Sequence, residues 1–497
     1  MKKIFSAIFI ILFLLTGCKK LQLEVYDIIS PSTFLKTASD AKALVTSCYY
    51  DIMHNGDAGM YSYGGTSFPY IFDLSTDVNR CNWGDASGDW ATMSLQTYTP
   101  TAPGLTSNLW GHYRNISKYT LNIDRIQGME GVPSLTDELK AQYIAEIKAI
   151  RAWCAYLVYN AYGTFPIATL EQLKNPLDEV ELERASSETV ENLIENDLIE
   201  AIAVLPEIYS DAEYGRITKG AAQMILLKFY MMKKNYVAAE STARQIIALN
   251  RYGLMENYNE IFARANTRNK ELIYSIPSNR STGCNFWVSW TLPGNFPTQN
   301  STISKWNGYR VTWKFYETFE TGDKRLENIF AEYISTTGEL ITRENDPGGI
   351  FNWGPIPLKY GEDPDVNGPY SLIDYVVFRY ADVLLSLAES INNNLQGATS
   401  EAIGLVNQVR KRAGLADLTS DKIANVSAFN DAILSERRHE LYCEGFSRED
   451  LIRHGKLIEV LQQFPGNMAS ENRILYPIPQ SAITESKGAI KQNPGYN

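Results

Sequence analysis

The sequence is poor in the residues that bind transition metals and carry thiol chemistry. It has four histidines and six cysteines among 497 residues, and no two cysteines stand at C-x-x-C spacing. Zinc sites and thiol-redox motifs need such clusters. His439-Glu440 begins the H-E-x-x-H pattern of zinc proteases, but Cys443 stands where the second histidine belongs. We therefore expect no metal or redox cofactor.

Enzyme motifs and positive charge are scarce as well. The sequence has no G-x-S-x-G nucleophile motif and no phosphate-binding P-loop. Lysine and arginine together number 46 against 57 aspartates and glutamates, which gives a net charge of −11. Nucleic acid is therefore not an expected ligand, because its phosphates would be repelled. The sequence favours a protein that is not an enzyme, while a glycosidase, which needs only two carboxylates, stays open.

The first 17 residues have the pattern of a secretory signal peptide. Two lysines precede an apolar run over residues 4–15, which is too short to cross a bilayer comfortably. Leu15-Thr16-Gly17-Cys18 resembles the bacterial lipoprotein box, in which the cysteine is acylated and becomes the new N-terminus. We expect residues 1–17 to be a lipoprotein signal peptide, Cys18 to be the lipidation site, and residues 18–37 to be the lipid anchor and tether. An ordinary cleaved signal with an incidental Cys18 is the alternative.

Helical periodicity dominates residues 38–269 and 376–497. Apolar residues recur every three or four positions, as at Leu139, Tyr143 and Ile147, and Ser39-Asp40 could cap the first helix. Helices predicted over 219–233 and 236–249 are joined so closely that they must be antiparallel neighbours. Further helices are predicted over 137–159, 187–205, 379–392, 400–413 and 429–443. The sequence therefore predicts a mainly α fold, a tetratricopeptide-like helix-pair superhelical scaffold.

Single cysteines lie within these predicted helices. Cys48, Cys154 and Cys443 each occupy a helical segment, as small core residues do. A disulfide between Cys48 and Cys81 stays open.

A large irregular, loop-rich insertion interrupts the scaffold at about residues 270–375. Proline, glycine, asparagine and aromatic residues replace the helical pattern there, and only 271–276 reads as a strand. Loops of this length in a compact protein are usually functional. A second irregular segment, 77–105, is expected to contribute to the same site.

Several segments, in order along the chain, resemble the SusD/RagB family. The matching segments are 151–153, 162–166, 216–222, 379–389, 407–415, 436–441, 444–445, 476–479 and 492–496. Two positions depart from the family pattern. Glu449 replaces an aromatic residue before Asp450-Leu451, and His454 stands where tryptophan is common.

The resemblance implies one SusD-like domain over residues 38–497. It further implies a lipoprotein that is anchored in the outer membrane and faces the cell exterior. Such a protein captures oligosaccharides and delivers them to a SusC-like TonB-dependent transporter, without catalysis. A peptide-capturing RagB-like protein of the same architecture is the main alternative, and a helical scaffold without a small ligand is another.

Carbohydrate sites need exposed aromatic planes for stacking and planar polar groups for hydrogen bonds. Residues 281–313 hold seven aromatic residues that lack helical spacing and are interleaved with asparagine, glutamine and arginine. The predicted ligand-binding residues are Trp287, Trp290, Trp306, Trp83, Tyr309, Arg310, Trp90, Asn82 and Arg80. Trp110 and Trp153 lie on helical stripes and are predicted to be core residues.

An acidic loop in the insertion has the spacing of a calcium site. Asp363, Asp365, Asn367 and Asp374 place oxygen donors at alternating positions. Two prolines inside the loop and the short final aspartate argue against the metal. A solvated turn is the favoured interpretation, with a structural calcium as the alternative.

The lipid site can be tested directly. A Cys18→Ser variant should lose its acyl chains because the sulfur is the attachment atom, and mass spectrometry of the membrane fraction should show this. Cys48→Ser is the control and should be lipidated like the wild type. Lipid on the Cys18→Ser protein, or wild-type processing at another residue, would contradict the assignment.

Overall fold

The computed structural model describes residues 35–54, 59–61, 67–84, 90–101, 109–175, 177–178, 180–280 and 283–496. Helices make up most of the regular structure. The α-helices are α1 Ala38–Tyr50, α2 Phe68–Leu74, α3 Trp90–Ser94, α4 Asn115–Gln127, α5 Asp137–Tyr162, α6 Leu170–Lys174, α7 Ser187–Val204, α8 Lys219–Met232, α9 Tyr236–Ala248, α10 Trp287–Thr291, α11 Trp313–Tyr316, α12 Tyr380–Leu395, α13 Ser400–Arg412, α14 Val426–Leu441, α15 Ser447–Arg453, α16 Leu457–Leu461 and α17 Gln480–Glu485. Short 3₁₀ turns span His112–Arg114, Asp211–Glu213, Tyr258–Glu260, Arg264–Asn266, Lys324–Asn328 and Glu471–Arg473.

Side-chain caps set where the scaffold helices begin. Thr37 caps α1, and Asp40 completes a capping box by accepting from the Thr37 backbone N–H at 2.9 Å. The N-cap residue is thus Thr37, and Asp40 of the Ser39-Asp40 pair takes part in the cap as its N3 residue. Hydroxyl or amide side chains also cap α5, α7, α8, α9, α13 and α14, at Thr136, Ser186, Thr218, Asn235, Thr399 and Asn425.

The scaffold is a stack of antiparallel helix pairs. Helix α5 packs against α7, α7 against α8, α8 against α9, and α9 against α12, which in turn contacts α13 and α14. Ala239 and Ala243 of α9 are fully buried, so the α9 backbone can approach its neighbours closely. Trp110 and Trp153 are core residues, as predicted. The prediction of a mainly α, helix-pair scaffold is confirmed.

Short strands form antiparallel pairs, and all of them except the first lie within the insertion or at its ends. The strands are β1 Asn79–Cys81, β2 Leu272–Ile276, β3 Tyr309–Val311, β4 Ile329–Phe330, β5 Tyr333–Ile334, β6 Leu340–Ile341, β7 Ile356–Pro357 and β8 Tyr375–Arg379. They pair as β1–β3, β2–β8, β4–β7 and β5–β6. The predicted strand at 271–276 is β2. The pairing of β2 with β8 brings the two ends of the insertion together.

The cysteines of the described segments are small core residues. Cys48, Cys81, Cys154, Cys284 and Cys443 are all buried and unbridged, so the Cys48–Cys81 disulfide is not formed. Burial raises the pKa of the Cys48 thiol to about 11, which makes it a poor nucleophile. Among the residues that the structure describes, no helix combines the length and apolarity that crossing a bilayer requires.

A buried cluster of opposite charges lies where the insertion meets the scaffold. Arg379, at the end of β8, bonds Glu271 and Glu440 at 2.8 Å each and Glu444 at 2.7 Å. The Lys359 ammonium also contacts Glu444. Arg412 bonds Glu271 and Glu440, and Arg325 bonds Glu440, so each carboxylate meets more than one cation.

The cluster keeps its carboxylates ionised. Burial alone would raise the pKa of the Glu440 carboxyl, but the three arginines around it hold that pKa well below its usual range. Glu440 therefore contributes fully to the free energy of unfolding at pH values above the ordinary glutamate pKa, about 4.3. This contribution is lost as the pH falls through the lower pKa that Glu440 has in the folded protein.

Removing one member should destabilise the protein strongly. Arg379→Gln leaves buried carboxylates without their partner and should lower the free energy of unfolding by about 3–5 kcal/mol. Urea denaturation followed by circular dichroism measures the change. The control is Arg244→Gln, which breaks the exposed Arg244–Glu401 pair and should cost less than about 1 kcal/mol. Equal effects for the two variants would contradict the role given to the buried cluster.

Candidate functional site

The pairing of β1 with β3 brings the two irregular segments of the chain together. Arg80 lies opposite Arg310, and Cys81 lies opposite Tyr309. The backbone N–H of Asn82 donates to the carbonyl of Gly308 at 3.0 Å and extends the pairing. The start of segment 77–105 therefore lies beside residues 306–311 of the insertion, and the predicted residues fall in one region.

Most of the predicted aromatic residues in this region are buried. Trp287, Trp290, Tyr309 and Trp90 are at most 5% exposed. Their rings pack on each other and on Tyr70. The ring centroids of Tyr70 and Trp290 are 4.9 Å apart, and those of Trp290 and Tyr309 are 5.3 Å apart. The expectation that these four rings are exposed stacking planes is wrong, because their faces are covered by one another.

The two predicted arginines are also buried, and they hold backbone carbonyls. Arg310 donates to the carbonyls of Thr291, Tyr309 and Ile350 at 2.6–2.8 Å. Arg80 donates to the carbonyls of Thr76 and Asn79 at 2.6 and 2.8 Å. Burial lowers the pKa of both guanidinium groups to about 10, and both remain charged at neutral pH. Arg80 thus holds the segment that leads into β1, and Arg310 ties β3 to Thr291 and Ile350. The structure contradicts an exposed position for either arginine.

The side chains of Trp83, Trp306 and Tyr370 reach the surface. Trp306 and Tyr370 are each 41% exposed, and Trp83 is partly exposed. Phe286 lies between two of them, with its ring centroid 5.8 Å from that of Trp306 and 5.3 Å from that of Tyr370. We call Trp83, Trp306 and Tyr370 the aromatic face.

The buried rings hold the aromatic face in place. The indole N–H of Trp83 donates to the Trp306 carbonyl at 2.8 Å, and the Trp83 ring packs edge-on against Trp290 at 5.5 Å. Asn82 donates its side-chain amide to the Asn307 carbonyl at 3.2 Å. Of the nine predicted residues, Trp306, Trp83 and Asn82 are therefore the three with solvent access.

A polar cleft of about 740 Å³ lies next to this face. Gln299, Asn300, Thr302, Glu362 and Asp365 are among its lining residues. Backbone bonds between 302–304 and Gly368 connect the cleft to Tyr370, two residues further on. Amide, hydroxyl and carboxylate groups thus stand beside flat aromatic planes, an arrangement that can stack a ring and bond its hydroxyls.

The acidic loop is built for hydrogen bonding within the protein. Asp363 is 1% exposed, and its carboxylate accepts from Ser371 and from backbone N–H groups of Asp365 and Leu372. Asp374 accepts from the Tyr214 hydroxyl at 2.9 Å and from the Ser278 N–H. Only Asp365 and Asn367 point to solvent. The calcium alternative is wrong because two of its ligands are used elsewhere, and the turn is only partly solvated.

Sequence reasoning missed Tyr370 and could not separate buried from exposed aromatic residues. Tyr370 follows the acidic loop in a Gly-Pro-Tyr sequence, and no periodicity marks it as a surface residue. Across the ranges that the structure describes, no group of histidine, cysteine, aspartate and glutamate side chains is arranged to hold a metal ion.

Two family profiles match adjoining parts of the chain. The profile described as "SusD family" matches residues 255–496, and the profile described as "Starch-binding associating with outer membrane" matches residues 27–231. Together they include the aromatic face and most of the scaffold.

Relatives and solved structures agree with these matches. SusD-like protein P25 of Formosa agariphila is 26% identical over an alignment of 511 positions. The alignment covers 95% of this chain and 94% of that protein. SusD-like protein P38 of the same organism is also 26% identical, with the same coverage.

Two solved structures have the same fold. A laminarin-binding SusD-like protein has a TM-score of 0.75 at 24% identity and covers 93% of this chain and 100% of its own. Surface glycan-binding protein A of Bacteroides thetaiotaomicron, solved with laminarihexaose, has a TM-score of 0.74 at 22% identity and covers 92% of this chain and 99% of its own. From the two profile matches, the relatives along nearly the whole length and the common fold, we conclude that the chain belongs to the SusD family.

Proposed function

We propose that this protein binds oligosaccharides at the aromatic face. The proposal rests on the exposure of Trp306, Trp83 and Tyr370 beside a polar cleft. These exposed rings are supported by the buried aromatic rings beneath them. Flat C–H faces of sugars stack on such planes, and sugar hydroxyls bond to amides and carboxylates. Because neighbouring rings hold the planes, little side-chain entropy is lost on binding.

The similar proteins support a glycan rather than another ligand. One structural neighbour is a laminarin-binding protein, another was solved with laminarihexaose, and one matching profile is described as starch-binding. Peptide capture, the alternative from the sequence, has no comparable support. The net charge of −11 favours neutral over polyanionic glycans.

The protein would act in uptake and not in catalysis. We propose that Cys18 anchors it to the outer membrane, that it faces the exterior, and that it passes the glycan to a SusC-like TonB-dependent transporter. Co-purification of such a transporter from detergent-solubilised outer membranes tests the partnership. Release of reducing ends from the bound glycan would contradict the absence of catalysis.

Trp306 is the first residue to test. Trp306→Ala removes one of the two most exposed planes of the face and should weaken oligosaccharide binding about tenfold, or about 1.4 kcal/mol. Calorimetric titration of the full chain in detergent measures this with laminari-, malto- and xylohexaose, an acidic glycan and a peptide pool. Trp306→Phe keeps a smaller plane and should lose less affinity.

The panel separates the alternatives. Binding of peptides alone, weakened by Trp306→Ala, would replace the glycan with a peptide ligand. Glycan binding that is unchanged in Trp306→Ala would move the site away from the aromatic face. Unchanged circular dichroism of both variants should accompany the affinity change.

Gly308 tests whether Trp83 is held in its working position. A Cβ atom at Gly308 would lie 2.6 Å from Cε2 of Trp83, so Gly308→Ala must displace the indole. We expect weaker glycan binding and a changed near-ultraviolet circular dichroism spectrum. Gly294→Ala is the matched control, because a Cβ there meets no atom within 4 Å. Full affinity in Gly308→Ala would exclude Trp83 from the site.

A further inference from the structure

A second cavity lies between helix α1 and the edge of strand β2. It has a volume of about 460 Å³, within the range of small-molecule sites. Its lining includes Tyr49 and Tyr50 of α1, Tyr214, and Tyr274 of β2. We call this cavity the tyrosine groove. None of its lining residues belongs to the aromatic face.

Tyr50 presents a fixed plane at the mouth of the groove. Its ring stacks on the His54 imidazole, with centroids 4.3 Å apart and an interplanar angle of 13°. His54 is itself held by a contact of 3.0 Å between Nδ1 and the Tyr50 carbonyl. One face of Tyr50 is therefore covered while the residue stays 55% exposed. A large aromatic ring left open in this way is available for stacking.

Tyr214 forms a second fixed plane in the groove. Its hydroxyl donates to Asp374, and the Arg268 guanidinium lies 4.0 Å from its ring centroid. These two contacts hold the ring at its hydroxyl and on one face. Asp374, a candidate calcium ligand by its spacing in the sequence, thus positions an aromatic wall of the groove.

Polar groups border these planes. The Lys42 ammonium and the Glu213 carboxylate lie 3.7 Å apart at the rim, and both are partly exposed. Arg216, a further lining residue, is held by Glu146. The groove thus combines aromatic planes with a hydrogen-bond donor and an acceptor, as a sugar requires.

Residues 283–286 connect the groove to the aromatic face. Backbone bonds pair Asn279 with Gly283, and both residues line the groove. Gly283 lies against the residues that follow α1, since a Cβ there would be 3.0 Å from Cγ of Met53. Three residues later, Phe286 contacts Trp306 and Tyr370. Three extended residues span roughly 10 Å, so the two surfaces are near neighbours.

We infer that the tyrosine groove is a second subsite, which binds the far end of an oligosaccharide held at the aromatic face. The inference rests on the proposed function. A second subsite makes the protein bind longer oligosaccharides in preference to shorter ones. A trisaccharide fills the aromatic face alone, whereas a hexasaccharide also reaches Tyr50 and Tyr214.

The test compares chain lengths in three variants. Calorimetric titrations of the full chain in detergent use the trimer and the hexamer of the laminari, malto and xylo series. In the wild type, the hexamer should bind more tightly than the trimer. Tyr50→Ala should weaken hexamer binding roughly two- to tenfold and leave trimer binding unchanged. Tyr50→Phe keeps the plane and should behave like the wild type, and Trp306→Ala should weaken both lengths.

The outcomes separate the two claims. If Trp306→Ala weakens binding but Tyr50→Ala changes neither length, the second subsite is overturned and the proposed function stands. If Tyr50→Ala weakens trimer and hexamer equally, the groove is not a distal subsite and the inference also fails. If no oligosaccharide of the panel binds the wild type, the proposed function fails and the inference fails with it. Hydrogen exchange adds an independent readout, because the hexamer alone should protect the backbone amides of residues 212–216.

Discussion

The ion cluster around Arg379 is the constraint on which the rest of the structure depends. The irregular insertion leaves the helical scaffold next to Glu271 and returns to it at Arg379, and these two residues bond each other at 2.8 Å. The same arginine bonds Glu440 and Glu444, at the end of α14. Because buried charges are costly without partners, the cluster forms only when strand β8 and the helices are in register. It thereby closes a loop of more than 100 residues on a fixed base.

A second layer of order is made of aromatic rings. Trp290, Tyr309 and their neighbours fill the space between the β1–β3 pair and helix α10, where a segment without long strands or helices would otherwise lack a core. Ring stacking and edge contacts give this region a defined geometry. The exposed rings Trp306 and Trp83 rest on that layer, so a loop-rich part of the chain can present rigid planes to a ligand.

Much of the fold could be predicted from the sequence, because helical periodicity records which face of each helix is buried. Trp153 follows such a stripe and is a core residue, and the close link between α8 and α9 fixed their antiparallel packing. The insertion has no period, so its composition indicated aromatic chemistry without showing which rings face inward. Trp290 and Trp306 look alike in sequence, yet one is 3% and the other 41% exposed. No pattern in the sequence predicts that Tyr370 is exposed at the site. The turn that places Tyr370 depends on Asp363 and on backbone pairing with residues 302–304.

Buried aromatic rings hold a small exposed face on which, as we propose, a sugar stacks. The most direct measurement is a crystal structure of the protein soaked with the hexasaccharide that binds most tightly. We expect a sugar ring lying flat over Trp306 or Trp83, with Trp290 and Tyr309 still buried and unmoved. Electron density for the sugar away from the aromatic face would contradict this proposal. So would a Trp290 side chain that has left the core and contacts the ligand.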